Sequence, residues 1–246
     1  MAGEVWIIMV LAGLLLTAVY TAMRYIINQQ HKQRCMMWAT LHLAEDEKKK
    51  IATHLHENIG GMLSAMRMDI SALGKNTPDG EGFLHIKQML DDAIHSVRHI
   101  NREMMPATLE KFGLPHALKE FCESRQQAFG INVSFYSTGQ VHATNKRIEL
   151  MLYRTAQELL DYTIMYKKAK RIDVNLRLTD AITVTIEDDA PGGDEQVNDS
   201  LAKRQLESIA NRVFLLNAKL KTTTKAGTVS NMMLLVPATK NNACDE

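Results

Sequence analysis

Apolar and polar positions divide this chain into a helical first part and a mixed second part. Val5 to Met23 is a run of 19 residues without a charged side chain. At about 1.5 Å per residue it is long enough to cross a hydrocarbon core of about 30 Å. Glu4 precedes the run, and Arg24, Lys32 and Arg34 follow it. That order differs from a cleaved leader and predicts a single-pass anchor with the N-terminus outside. Ile26 to Gln33 continues the helix, and Ala39 to Lys50 leads into the next. From Lys48 to about Leu73, apolar residues recur at spacings of three and four: Ile51, Leu55, Ile59, Met62 and Met66. This pattern predicts an amphipathic helix. Gly74 to Gly80 is dense in turn formers. Phe83 to Met104 restores a helical stripe through Ile86, Leu90, Ile94, Val97 and Asn101. Two helices joined by a short connector bury one face each. A second copy that completes a four-helix bundle is the natural partner, so a homodimer is expected.

Beyond Pro106, which ends the second hairpin helix, the periods alternate. Leu114 to Ala128 reads as a helix with Pro115 in its first turn and Gly130 as its stop. Ile131 to Tyr136 alternates as a strand. Asn145 to about Met165 is a long helix with Ile148, Leu152, Thr155, Leu159 and Tyr162 near one face. Ile172 to Leu178 and Ile182 to Glu187 alternate with period two around Thr179-Asp180-Ala181, which predicts a hairpin. A loop from Asp189 to Ser200 precedes a helix from Leu201 to Asn217. Strands at Lys219 to Thr223 and Thr228 to Val236 flank Lys225-Ala-Gly227. The whole is an α+β chain: an N-terminal transmembrane helix, a helical hairpin and a two-layer α/β sandwich. The expected domains are 1–28 as anchor, 29–106 as dimerising hairpin and 107–246 as sandwich.

With 246 residues and a formal net charge of +1, the chain gives no sign of nucleic acid as a partner. Cys35, Cys122 and Cys244 are scattered and lack the spacing of a metal or redox site. The methionine pairs, such as Met104-Met105, read as core filler, since no His or Cys cluster accompanies them.

The candidate chemistry lies at His56-Glu57. His56 follows Leu55 by one residue and so sits roughly 100° round the helix, at the edge of the apolar stripe. There, one ring nitrogen held by a carboxylate leaves the other facing an electrophile. A solvated surface pair is the plain alternative, and in that reading the chain is a structural or interaction protein.

Four collinear strings carry a resemblance that covers roughly residues 45 to 237. Ile51-Ala-Thr-His-Leu-His-Glu-Asn-Ile-Gly60 resembles the phosphoacceptor helix of bacterial sensor histidine kinases. Within them it is similar to the subfamily whose motif runs R-I-A-x-x-L-H-D-x-x-G-Q. Met105-Pro-Ala-Thr-Leu-Glu-Lys-Phe-Gly-Leu114 is similar to that family's L-R-P-x-x-L-x-x-x-G-L. Leu152-Tyr-Arg-Thr-Ala-Gln-Glu-Leu-Leu160 is similar to L-Y-R-I-x-Q-E-x-L. Ile209-Ala-Asn-Arg-Val213, with Leu215 to Leu220, is similar to I-x-N-R-V-x-x-L-x-G-x-L.

The resemblance implies a two-component histidine kinase at the inner (cytoplasmic) membrane, with its later domains in the cytoplasm. A phosphoryl group would pass from ATP and Mg²⁺ to His56, with Glu57 as base or orienting group, and then to a response-regulator aspartate. Glu158, Asp188, Gly192, Gly227 and Thr228 are the implied nucleotide-binding positions, with no metal ligand assigned. The chain departs from the family at several of its motifs. The magnesium-binding asparagine of E-x-x-x-N is Tyr162, and the basic position four residues on is Tyr166. In D-x-G-x-G, Ala190 and Pro191 intrude. The two phosphate-lid glycines fall at Lys203 and Gln205, where side chains obstruct a backbone wrap around phosphate. The phosphatase glutamine is Gly61. The alternative expectation is therefore a pseudokinase, phosphotransfer or scaffold protein, with another sensor or kinase subunit as partner.

Overall fold

The computed structural model describes residues 2–73, 80–139, 145–190, 200–225 and 229–237. The chain divides after Asp46 into two compact units. Helix α1 (Ala2–His54) is continuous. Among the described residues no helix is long and apolar enough to cross a membrane. The reading of Val5 to Met23 as a membrane span falls partly outside the described residues. Side chains of residues 2–8, 11 and 12 lie outside them, and the unbroken described stretch, Gly13 to Met23, is shorter than the about 20 residues a bilayer core requires.

In the second unit, a π-helical turn (Leu55–Gly60) follows α1 and leads into α2 (Gly61–Leu73). Helix α3 (Gly80–Met104) packs along α2. The expected single helix from Lys48 to Leu73 is thus three pieces. Its apolar stripe does not pack within the protomer either: Ile51, Ile59, Met62 and Met66 are all exposed. Leu63 and Ile70 are half-buried instead, and on α3 Ile94 is buried while Leu90, Val97 and Asn101 are half-buried. The apolar face is left over once the two helices have met.

Helix α4 (Ala107–Phe129) bends at Gly113, whose φ of 78° is the left-handed region that only glycine enters cheaply. Leu114 and Leu118 beyond the bend are 1% and 2% exposed. Gly130, with φ 63° and ψ 30°, closes the helix by donating its N–H to the Gln126 carbonyl.

Strands β1 (Asn132–Gly139), β2 (Arg171–Leu178), β3 (Ala181–Asp188), β4 (Lys219–Lys225) and β5 (Val229–Pro237) form one mixed sheet in the order β1-β2-β3-β5-β4. β1 and β2 are parallel, and the other neighbours are antiparallel. The alternation read from sequence holds. Ile172, Val174, Leu176, Val184, Ile186, Met232 and Leu234 are buried, with more polar residues between them. Helix α5 (Lys146–Met165) is buried along most of its length, including Leu152, Leu159 and Leu160. Helix α6 (Ser200–Leu215) packs on α5. A helical N-terminal part and a mixed five-stranded domain make the α+β architecture.

Two arginines tie the hairpin to the sheet domain. Arg154 on α5, 8% exposed, donates to the carbonyls of Glu103 (2.9 Å) and Met104 (2.8 Å), the last residues of α3. A cation on helix-end carbonyls satisfies groups that have no partner within the helix. Arg125 on α4 makes a two-pronged contact to Asp161 on α5, at 2.7 and 3.2 Å, and lies 3.6 Å from Glu103. Burial, opposed by Arg125, holds the Asp161 carboxyl above the usual carboxylate range. Replacing Arg125 with Met strands that carboxylate. The expected cost is about 2–3 kcal/mol, read as a lower urea midpoint at an unchanged m-value.

Candidate functional site

His56 and Glu57 lie on the π-helical turn, which contains no buried residue. Two adjacent glycines, Gly60 and Gly61, end the turn, and their weak helix propensity makes a widened turn inexpensive. Both side chains are exposed, and among the described residues neither makes a hydrogen bond or ion pair. Glu57 does not hold the His56 ring, because consecutive residues on a helix do not face each other.

The neighbouring imidazole is different. Asn58 Nδ2 lies 2.9 Å from His54 Nδ1. An amide nitrogen only donates, so Nδ1 accepts and the His54 proton sits on Nε2. That leaves His54 without a free lone pair, while His56 keeps one for an electrophile.

The second group of expected residues lies between α5, α6 and the end of β3. Glu158 is spent on α6: its Oε1 accepts from Ser208 Oγ and Arg212 Nε, both at 3.1 Å. The amide of Gln205 donates to the Glu158 carbonyl at 2.9 Å. Oε2 of Glu158 is buried without a partner. Lys203 and Gln205, the lid-glycine positions, lie within the first turns of α6, so their backbone is helix rather than a wrapping loop. Tyr162 is 9% exposed and its ring centroid lies 5.4 Å from that of Tyr166.

Asp188 ends β3 and is buried. Its Oδ2 accepts from Lys167 Nζ at 2.8 Å, and its Oδ1 accepts from the Ala190 N–H at 3.2 Å. The Ala190 methyl is itself buried. Gly192, Gly227 and Thr228 lie outside the described residues.

Among the described residues the fit to Mg-ATP is therefore poor. Magnesium demands near-octahedral oxygen donors. Here the donor set offers one unspent carboxylate oxygen beside a buried phenol. Among the described residues no three His, Cys, Asp or Glu side chains converge as metal ligands. The carboxylate that would meet adenine already holds an ammonium. Breaking a buried pair of this kind costs about 3–5 kcal/mol.

No family model matches the chain. It is 26% identical over 152 residues to the oxygen sensor histidine kinase NreB of Staphylococcus carnosus, covering 60% of this chain and 44% of that protein. The chain is related to the bacterial sensor histidine kinases. It spans less than half the length of that relative. Among solved structures it is similar to the histidine kinase domain of the blue-light activated kinase EL346 of Erythrobacter litoralis. That match has 16% identity, covers 80% of this chain and 93% of that chain, and has a TM-score of 0.45. Acinetobacter baumannii AdeS, also a histidine kinase, is 16% identical, over 76% of this chain and 98% of that one, at a TM-score of 0.41.

The residues that sequence reasoning missed are those bonded to the expected positions. Lys167 gave no periodic or motif signal. Gln205 was read as an obstruction, whereas its side chain bonds α6 to α5. Arg212 lies inside the I-x-N-R-V string yet acts as the counter-charge of Glu158. The difference between the two imidazoles is directly measurable. Treatment of the full chain with diethyl pyrocarbonate is expected to modify His56 well before His54, read by peptide mass mapping. Asn58→Ala is expected to bring His54 up to the His56 rate.

Proposed function

We propose that this chain is a histidine-kinase-like signalling protein that carries a phosphoryl group on His56. It passes that group to a response-regulator aspartate, and its own nucleotide face is filled by side chains. The phosphoryl group then comes from another sensor or kinase subunit. The observation that carries the reading is the contrast between the two faces: a free, exposed imidazole on the hairpin, and an Asp188, Glu158 and Gln205 already bonded within the protein. Phosphoryl transfer depends on positioning and charge neutralisation more than on covalent help from the protein. An accessible acceptor keeps its part in that chemistry when the donor arrives from outside.

Two further features support the partners. The apolar face of the hairpin, with Ile59, Met62, Met66, Ile86 and Met89 exposed, suits a second copy of the chain. On the hairpin, α2 and α3 also line a cavity of about 580 Å³, where Arg67 is paired with Asp91 at 2.6 Å and Lys87 and Arg98 add positive charge. That excess of positive charge suits a partner that presents its acceptor aspartate among carboxylates.

A second reading, self-phosphorylation from Mg-ATP, is favoured by the likeness to NreB. Phosphoramidate, a small donor that phosphorylates imidazoles without a nucleotide site, separates the two. The expected result is acid-labile phosphate on His56 with phosphoramidate, none with Mg-ATP, and none on the His56→Gln variant with either. Phosphohistidine formed at His56 from Mg-ATP alone favours the second reading. Labelling that survives His56→Gln overturns both.

A further inference from the structure

We propose that Lys167 is a built-in plug of the adenine position, its ammonium standing where the exocyclic amine of a bound adenine would donate. The inference rests on the reading of the sandwich as a nucleotide-binding fold that has closed, and it names the residue that closes it.

The local geometry is built for this contact. Lys167 follows the end of α5, and Asp188 ends β3. Lys168 takes a φ of 56°, a left-handed conformation uncommon for a residue with a side chain. It reverses the chain between α5 and β2. Asp189 holds the reversal from the far side. Its Oδ1 accepts from the backbone N–H groups of Lys170 (2.8 Å) and Arg171 (2.9 Å). With the turn pinned, the Lys167 side chain reaches Asp188 Oδ2 at 2.8 Å and is left 19% exposed over a carboxylate that is 0% exposed.

The donor chemistry matches. Asp188 in its ionised form only accepts hydrogen bonds. An adenine amine and a lysine ammonium both present N–H groups to it, but the ammonium also cancels the buried charge. A neutral amine offers less, so the occupant supplied by the chain itself wins. Ala190, 4% exposed, occupies the other oxygen of the same carboxylate through its N–H. Among the described residues, adenine is left without a free acceptor on Asp188.

Calorimetry on the full chain tests this, with adenosine as the probe because it needs no phosphate lid and no metal. Wild type and Lys167→Arg, which keeps the cation, are expected to show no heat of binding. Lys167→Ala is expected to bind adenosine at least about tenfold more tightly than wild type. A folded Lys167→Ala chain with no gain overturns the plug and leaves the proposed function standing. Tight adenosine binding by wild type overturns the plug and counts against the closed nucleotide face as well. Should Lys167→Ala fail to fold, reductive methylation of the wild-type lysines decides. Lys167 is expected to react several-fold more slowly than the exposed Lys168, and equal rates overturn the plug.

Discussion

A carboxylate with no solvent exposure has to be given a counter-charge by the fold, and much of the sandwich is arranged to do that for Asp188. The partner is Lys167, and delivering it needs a chain reversal that places Lys168 in the left-handed region. The reversal in turn needs Asp189 to gather the Lys170 and Arg171 amides. Those amide N–H groups hold the Asp189 carboxyl below its ordinary range, led by the one from Arg171. One buried charge thereby sets the α5–β2 connection, the start of β2 and the end of β3. Opposite it, Glu158 sets the seat of α6 in the same way through Ser208 and Arg212.

The hairpin is organised on the opposite principle. Its helices leave an apolar face exposed, and His56 sits on a turn with no buried residue. Side chains that bind a passing group must be free, and those that organise a fold must be bonded. In this chain the two conditions fall on different parts of the second unit, the hairpin and the sheet. Arg154 and Arg125 join them, the first by capping α3 and the second by gathering Glu103 and Asp161 at the same junction.

Much of the fold was legible in the sequence because period is a direct image of burial. The alternation in Ile172 to Leu178 and Ile182 to Glu187 marked the buried face of β2 and β3, and Gly130 marked the end of α4 by its left-handed conformation. The π turn was not legible. Ile51, Leu55 and Ile59 keep a perfect helical spacing straight through it, and spacing does not register one widened ring. The apolar face of Lys48–Leu73 was legible, but period shows only that a helix has such a face, not which partner covers it. At the candidate site, the losses at Tyr162, Ala190 and Gln205 were legible as departures from a motif. Their replacement by bonds was not. Lys167 meets Asp188 across 21 positions of sequence, and no local pattern links them.

Isothermal calorimetry of Mg-ATP with the intact wild-type chain tests the central claim most directly, since the nucleotide face is proposed to be filled by the bonds at Asp188, Glu158 and Gln205. The expected result is no heat of binding up to millimolar ATP, with the chain folded. Saturable binding at sub-millimolar concentration contradicts a nucleotide face filled by its own side chains.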